Sequence, residues 1–142
     1  MITLLNHEAL TLWHASRSHT GRPTAAGRTD GGNHPNSGLG LFCAVEPAAY
    51  LTGFGAILHE LSLRPGAKLL PLTVSELRDM GGQGSMERDR SWFEQEGQRL
   101  AQSYDGIALV ELDQRVSQII VLRDDAIVGH RQVSLEEFQR LA

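Results

Sequence analysis

The run "LTLWHAS" (10–16) is short and largely apolar. This predicts a short strand with Leu10, Leu12 and His14 on one face and Thr11, Trp13 and Ala15 on the other. "LFCA" (41–44) predicts a second brief strand. "EPAAYLTG" then predicts a helical turn or two, with Pro47 tolerated near its start. "AILHELSL" (56–63) reads as a strand closed by the turn "RPGA", and "KLLPL" as a further extended piece. Thr73 opens a short helix, "VSELRDM", with Glu76 at capping-box spacing. In "MERDRSWFEQEGQRLAQS" the period changes to that of a helix, which gathers Trp92, Phe93, Glu96 and Leu100 around one side. "YDGIALVEL" and "SQIIVL", joined by "DQRV", form an antiparallel strand pair. "VSLEEFQRLA" is a C-terminal helix capped by Ser134 and Glu137.

Strands arrive in pairs and helices are interspersed. The pattern predicts an α+β fold, with a largely antiparallel, split β-sheet core and short flanking helices, in a single domain over 1–142. "RSHTGRPTAAGRTDGGNHPNSGLG" interrupts the pattern with about two dozen Gly-, Pro- and polar-rich residues. A loop of that length inside a domain is usually functional or disordered. The chain carries no G-x-G-x-x-G after a strand and no P-loop motif, so neither a Rossmann nor a P-loop nucleotide site is supported.

Composition adds exclusions. Thirteen basic residues stand against seventeen acidic ones, a formal charge of -4, and Lys68 is the only lysine. Arginines are scattered, which argues against a nucleic-acid surface of the usual electrostatic kind. Cys43 is the only cysteine, so no internal disulfide can form. No N-terminal signal pattern and no apolar stretch of membrane-spanning length is evident. The expectation is a cytoplasmic protein, of a bacterium or of a host cell into which it is delivered, with no membrane partner.

Several residues could carry chemistry, each with a plainer reading beside it. His14 lies in an apolar run, either satisfied within a strand pair or lining a cleft, with Ser16 on the same face. His14, His19 and His34 fit no compact ligand spacing, so no metal site is expected. Cys43 is a conceivable nucleophile ahead of a helix start, but "LFCAV" reads as core. Gly38 and Gly40 allow close approach of backbone to a ligand, or simply make a turn. Tyr50 offers either a core ring or a stacking surface. Glu111 and Gln118 interrupt the last strand pair, at a cleft edge or where strands meet solvent.

Taken in order, "LWHAS", "GLGLFCA", "VEPAAYLTG", "HELSLRPGAKLLPLT" and "YDGIALVEL…SQIIVLRDDAIV" resemble the motifs of the ADP-ribosyltransferase superfamily, in its diphtheria-toxin and poly-ADP-ribose-polymerase branch. The resemblance runs from about Leu10 to Val128. It implies an ADP-ribosyltransferase-like split sheet and NAD as substrate, divided between nicotinamide and ADP-ribose. It also implies that His14 holds the adenosine-side ribose beside Ser16, that the Ala15 backbone meets the nicotinamide amide, that Gly40 and Phe42 belong to the dinucleotide-binding segment, and that Tyr50 stacks on nicotinamide. Cys43 becomes a packing residue.

Two positions depart from the family pattern. Gln118 stands where a glutamate is usual, and Phe42 replaces a tyrosine. Losing nicotinamide leaves positive charge on the ribose, as in glycoside cleavage, and a carboxylate stabilises that charge. Glutamine can hydrogen-bond a hydroxyl but supplies no charge. Glu111 on the neighbouring strand is the candidate acid, with Gln118 beside it. The expected function is a compact mono-ADP-ribosyltransferase that resembles bacterial or phage effectors, including phage inhibitors of CRISPR defence, with a protein acceptor favoured over nucleic acid. The alternative is a catalytically silent transferase fold that inhibits by binding a protein. A third reading is a cysteine hydrolase built on Cys43.

Overall fold

The computed structural model describes residues 2–3, 9–17, 21–25, 35–80 and 88–142. Its architecture is α+β, a mostly antiparallel sheet with a few short helices. The strands are β1 (Ile2–Thr3), β2 (Leu10–Ser16), β3 (Leu41–Ala44), β4 (Ile57–Leu63), β5 (Lys68–Thr73), β6 (Gly106–Val110), β7 (Val116–Val121) and β8 (Ile127–Val133). The α-helices are α1 (Val74–Met80), α2 (Arg90–Ala101) and α3 (Leu135–Leu141), and a 3-10 helix spans Ala49–Phe54. Among the described residues the sheet order is β1-β5-β6-β7-β3-β2-β4-β8.

Local signals explain the helix starts. Thr73 and Glu76 exchange hydrogen bonds, each side chain satisfying the other's backbone N–H at 3.0 Å. The Asp89 carboxylate accepts from the Trp92 N–H, and Ser134 Oγ from the Glu137 N–H. The Glu137 carboxylate turns instead to Arg131, so at α3 only half of a capping box forms.

The sheet has a weak seam. β2 and β4 pair in register over their whole length, from Leu10 opposite Leu63 to Ser16 opposite Ile57. β2 and β3 share only the pair Trp13–Ala44. A central apolar cluster, including Leu12, Cys43, Leu61 and Ile119, draws on strands from both sides of this seam. The two outer clusters lie on either side of it. Phe93, Leu77 and Leu100 pack with Ile107 and Ile120 on one side. Phe138 and Leu51 pack with Trp13 and Leu58 on the other.

Two elements differ from the sequence pattern. β8 forms where no strand is predicted. Most of its middle residues are polar or exposed and only its ends, Ile127 and Val133, are buried, so no alternation marks it. β5 and β6 pair in parallel, because α1 and α2 carry the chain across before β6 begins. The mid-chain loop is described only in part. Within it, Arg22 donates to the carbonyl oxygens of Asp124 and Ile127, which docks residues 21–25 beside β8. His19 and His34 lie outside the described residues.

Candidate active site: a cleft at the ends of β3, β6 and β7

β6 stops at Val110, and residues 111–115 turn the chain into β7. The Glu111 N–H donates to the Arg115 carbonyl and the Gln114 N–H to the Glu111 carbonyl, both at 2.9 Å. Gln114 adopts a left-handed backbone, φ 69°, to close this turn. The return of the chain brings Ser117 back against Glu111, and Ser117 Oγ donates to Glu111 Oε1 at 2.6 Å. That short bond to a carboxylate orients one oxygen and leaves the other available.

Across from this hairpin, the segment after β3 passes into the 3-10 helix that carries Tyr50. Ala44, Tyr50, Glu111, Arg115, Ser117 and Gln118 line one cleft of about 260 Å³. Gln118 reaches it because it pairs with Ala44 on one side and Leu109 on the other. The Tyr50 ring is about half exposed and meets Phe54 edge-on, with centroids 6.3 Å apart. Burial, and then the charge of Glu111, holds the Tyr50 phenol above its ordinary value, so the group stays a neutral donor across physiological pH. The cleft is smaller than the range usual for whole drug-sized ligands. It suits one ring with its attached sugar better than an entire dinucleotide.

Of the residues singled out from sequence, the fold brings Tyr50, Glu111 and Gln118 together. The others lie elsewhere. His14 is buried in the seam, where Nδ1 donates to the Phe42 carbonyl at 2.8 Å. A carbonyl can only accept, so that ring nitrogen carries a proton. The bond ties β2 to β3 where the ladder provides a single pair. The Ala15 side chain is core, packed with Trp13 and Leu58. The Phe42 side chain packs towards α2. At Gly40 a Cβ would lie 2.6 Å from the Val121 carbonyl, so the close approach that this glycine permits is to β7. Cys43 is buried in the central cluster.

Ser16 belongs to a second polar group that the sequence did not reveal. Its Oγ lies 3.2 Å from His59 Nε2, and His59 Nδ1 lies 2.9 Å from His130 Nε2. The His14 and His59 rings are 5.9 Å apart. His59 is fully buried and sits between its neighbours because β2, β4 and β8 are adjacent. Only one proton can occupy the His59–His130 contact, so both rings cannot be fully protonated in this geometry. The signal for His59 was present in "AILHELSL", where it falls on the same strand face as Leu61 and Leu63. Its partner His130 lies on β8, the strand without a pattern.

Among the described residues no group of three or more His, Cys, Asp or Glu is placed to hold a metal ion, and no helix is long and apolar enough to cross a membrane. No protein-family model and no curated protein matches the sequence. Among solved structures the chain is similar to the crystal structure of an anti-CRISPR protein. The identity is 14% and the TM-score 0.48, over 91% of this chain and 98% of that one. A likeness at that level is no basis for assigning an activity.

Proposed function

We propose that the protein is an NAD-dependent mono-ADP-ribosyltransferase acting at the cleft of Tyr50, Glu111 and Gln118. The observation that carries this reading is the placement of the Glu111 carboxylate, held by Ser117, in a cleft of ring-and-sugar size that the exposed Tyr50 ring and Glu46 also line. The ordered sequence motifs supply the chemistry. Tyr50 stacks on nicotinamide, and Glu111 faces the ribose whose charge develops as the C–N glycosidic bond breaks. Nicotinamide leaves with the bonding electron pair. The acceptor then bonds to the ribose carbon and gives up a proton to Glu111 or to solvent. Gln118 hydrogen-bonds a ribose hydroxyl. The rest of the dinucleotide extends beyond the cleft.

The test is release of nicotinamide from NAD by the purified protein, with water or an added protein as acceptor. The expected result is release above background that Glu111→Gln abolishes. Absence of both NAD binding and nicotinamide release at millimolar NAD overturns the transferase reading. A second reading, a catalytically silent fold that binds a protein, is favoured by one observation: Gln118 faces the cleft at the position where the family's acid is expected. On that reading Glu111→Gln leaves partner binding intact.

A further inference from the structure

At the opposite end of β6 from Glu111 lies a second, larger hollow of about 420 Å³, whose lining includes Arg64, Lys68, Ser103, Tyr104, Asp105 and Arg123. Five strand residues separate Asp105 from Glu111 along β6, roughly 20 Å at the usual rise. The chain's single lysine and two of its arginines converge here, on a protein whose formal charge is otherwise negative.

Asp105 organises this end. It is buried, and its carboxylate takes the Lys68 N–H on Oδ2 at 2.8 Å and Arg64 Nη2 on Oδ1 at 2.6 Å. Arg123 holds Asp125 with both Nε, at 3.0 Å, and Nη2, at 2.8 Å, and its Nε lies 3.9 Å from Asp105 Oδ1. The Asp105 N–H and carbonyl also join the Lys68 carbonyl and the Leu122 N–H, which fixes the ends of β5, β6 and β7 to one another. Both guanidinium groups are thus held in place by carboxylates that spend only some of their donors. Arg64 uses one nitrogen, and the Lys68 ammonium has no partner among the described residues. Three cations against Asp105 and Asp125 leave the lining of the hollow with net positive charge. Guanidinium groups oriented beforehand, beside a mobile point charge, are the arrangement that recognises phosphate oxygens.

We infer that this hollow is a binding site for a small phosphoanion, the diphosphate group of a small molecule, separate from the Glu111 cleft and independent of the transferase reading. Ser103 and Tyr104 line the same space.

The test is calorimetric titration with inorganic pyrophosphate at low ionic strength, where surface screening is weakest. The expected result is saturable binding that Lys68→Gln and Arg123→Gln each weaken about tenfold, the loss of one charge-assisted contact. Neither variant disturbs the Arg64–Asp105 pair, and an unchanged melting temperature verifies this. Tyr50→Ala binds as the parent protein does. The inference is overturned by absence of saturation at about 10 mM, by parent-level affinity in both charge variants, by equal competition from sulfate at matched ionic strength, or by loss of binding in Tyr50→Ala, which would assign pyrophosphate to the other cleft.

Discussion

The cleft of Tyr50, Glu111 and Gln118 and the buried row of Ser16, His59 and His130 are both polar groups assembled from separate strands, yet they are held by different means. The cleft is positioned by backbone. A tight hairpin returns Ser117 to Glu111, and the outer edge is the half-exposed Tyr50 ring. The histidine row is positioned by side chains bonding one another inside the core, with His59 excluded from solvent. A group of the first kind can lose a side chain and keep its shape. A group of the second kind is part of the packing, and removing a member leaves a hole and orphaned polar atoms. On the proposed reading, chemistry on an external ligand belongs to the cleft, and stability belongs to the row.

The sharpest way to break this contrast is His59→Ala. It removes a fully buried ring and two hydrogen bonds, and should cost about 3 kcal/mol of stability in urea unfolding. A cost below about 1 kcal/mol would mean that the row is not part of the packing. Glu111→Gln should do the reverse. Nicotinamide release should fall about 100-fold, close to 2.7 kcal/mol of barrier, with unfolding unchanged. Unaltered release would remove Glu111 from the mechanism. Ser117→Ala should lower release about tenfold by freeing the carboxylate it orients, and Ser117→Thr should recover part of the loss. Equal loss in both variants would mean that the hydroxyl does not act through Glu111.

The smallest effect concerns Tyr50. Its folded pKa lies above the unfolded value of about 10, first through burial and then through Glu111. Stability from the neutral phenol is therefore complete below pH 10 and declines as pH rises from there through the folded pKa. Glu111→Gln removes the second cause, so Tyr50 should titrate at lower pH in that variant, as read by its ring carbon shift in NMR. An unmoved titration would place Glu111 out of electrostatic reach of the ring.

Much of the frame was legible in the chain. The strands around His14, Cys43 and Ile119 announced themselves as short apolar runs, α1 and α3 by capping residues whose partners lie within three positions, and α2 by its helical period. For the cleft, Glu111 and Gln118 stood out as polar residues in apolar strands, and Tyr50 as an aromatic following a strand. The second polar row was not legible. His130 lies on an edge strand whose middle is mostly exposed, and the meeting of Ser16, His59 and His130 spans sequence separations of 43 and 71 residues. Gly40 was visible as a glycine, but what its missing side chain makes room for is the Val121 carbonyl of a distant strand.

By itself, then, the sequence determined the local elements: where strands and helices start, which residues are apolar, and which few polar groups break the pattern. These depend on neighbours within a turn or two of chain. Only the tertiary structure decided the company each polar group keeps. It sent His14 to the Phe42 carbonyl across a seam with one ladder pair, and Ser16 to His59. It brought Glu111 beneath Ser117 and facing Tyr50, and gathered Lys68, Arg64 and Arg123 around Asp105. The physical reason is that strand order and register join residues tens of positions apart, and no local periodicity records which strands will lie side by side.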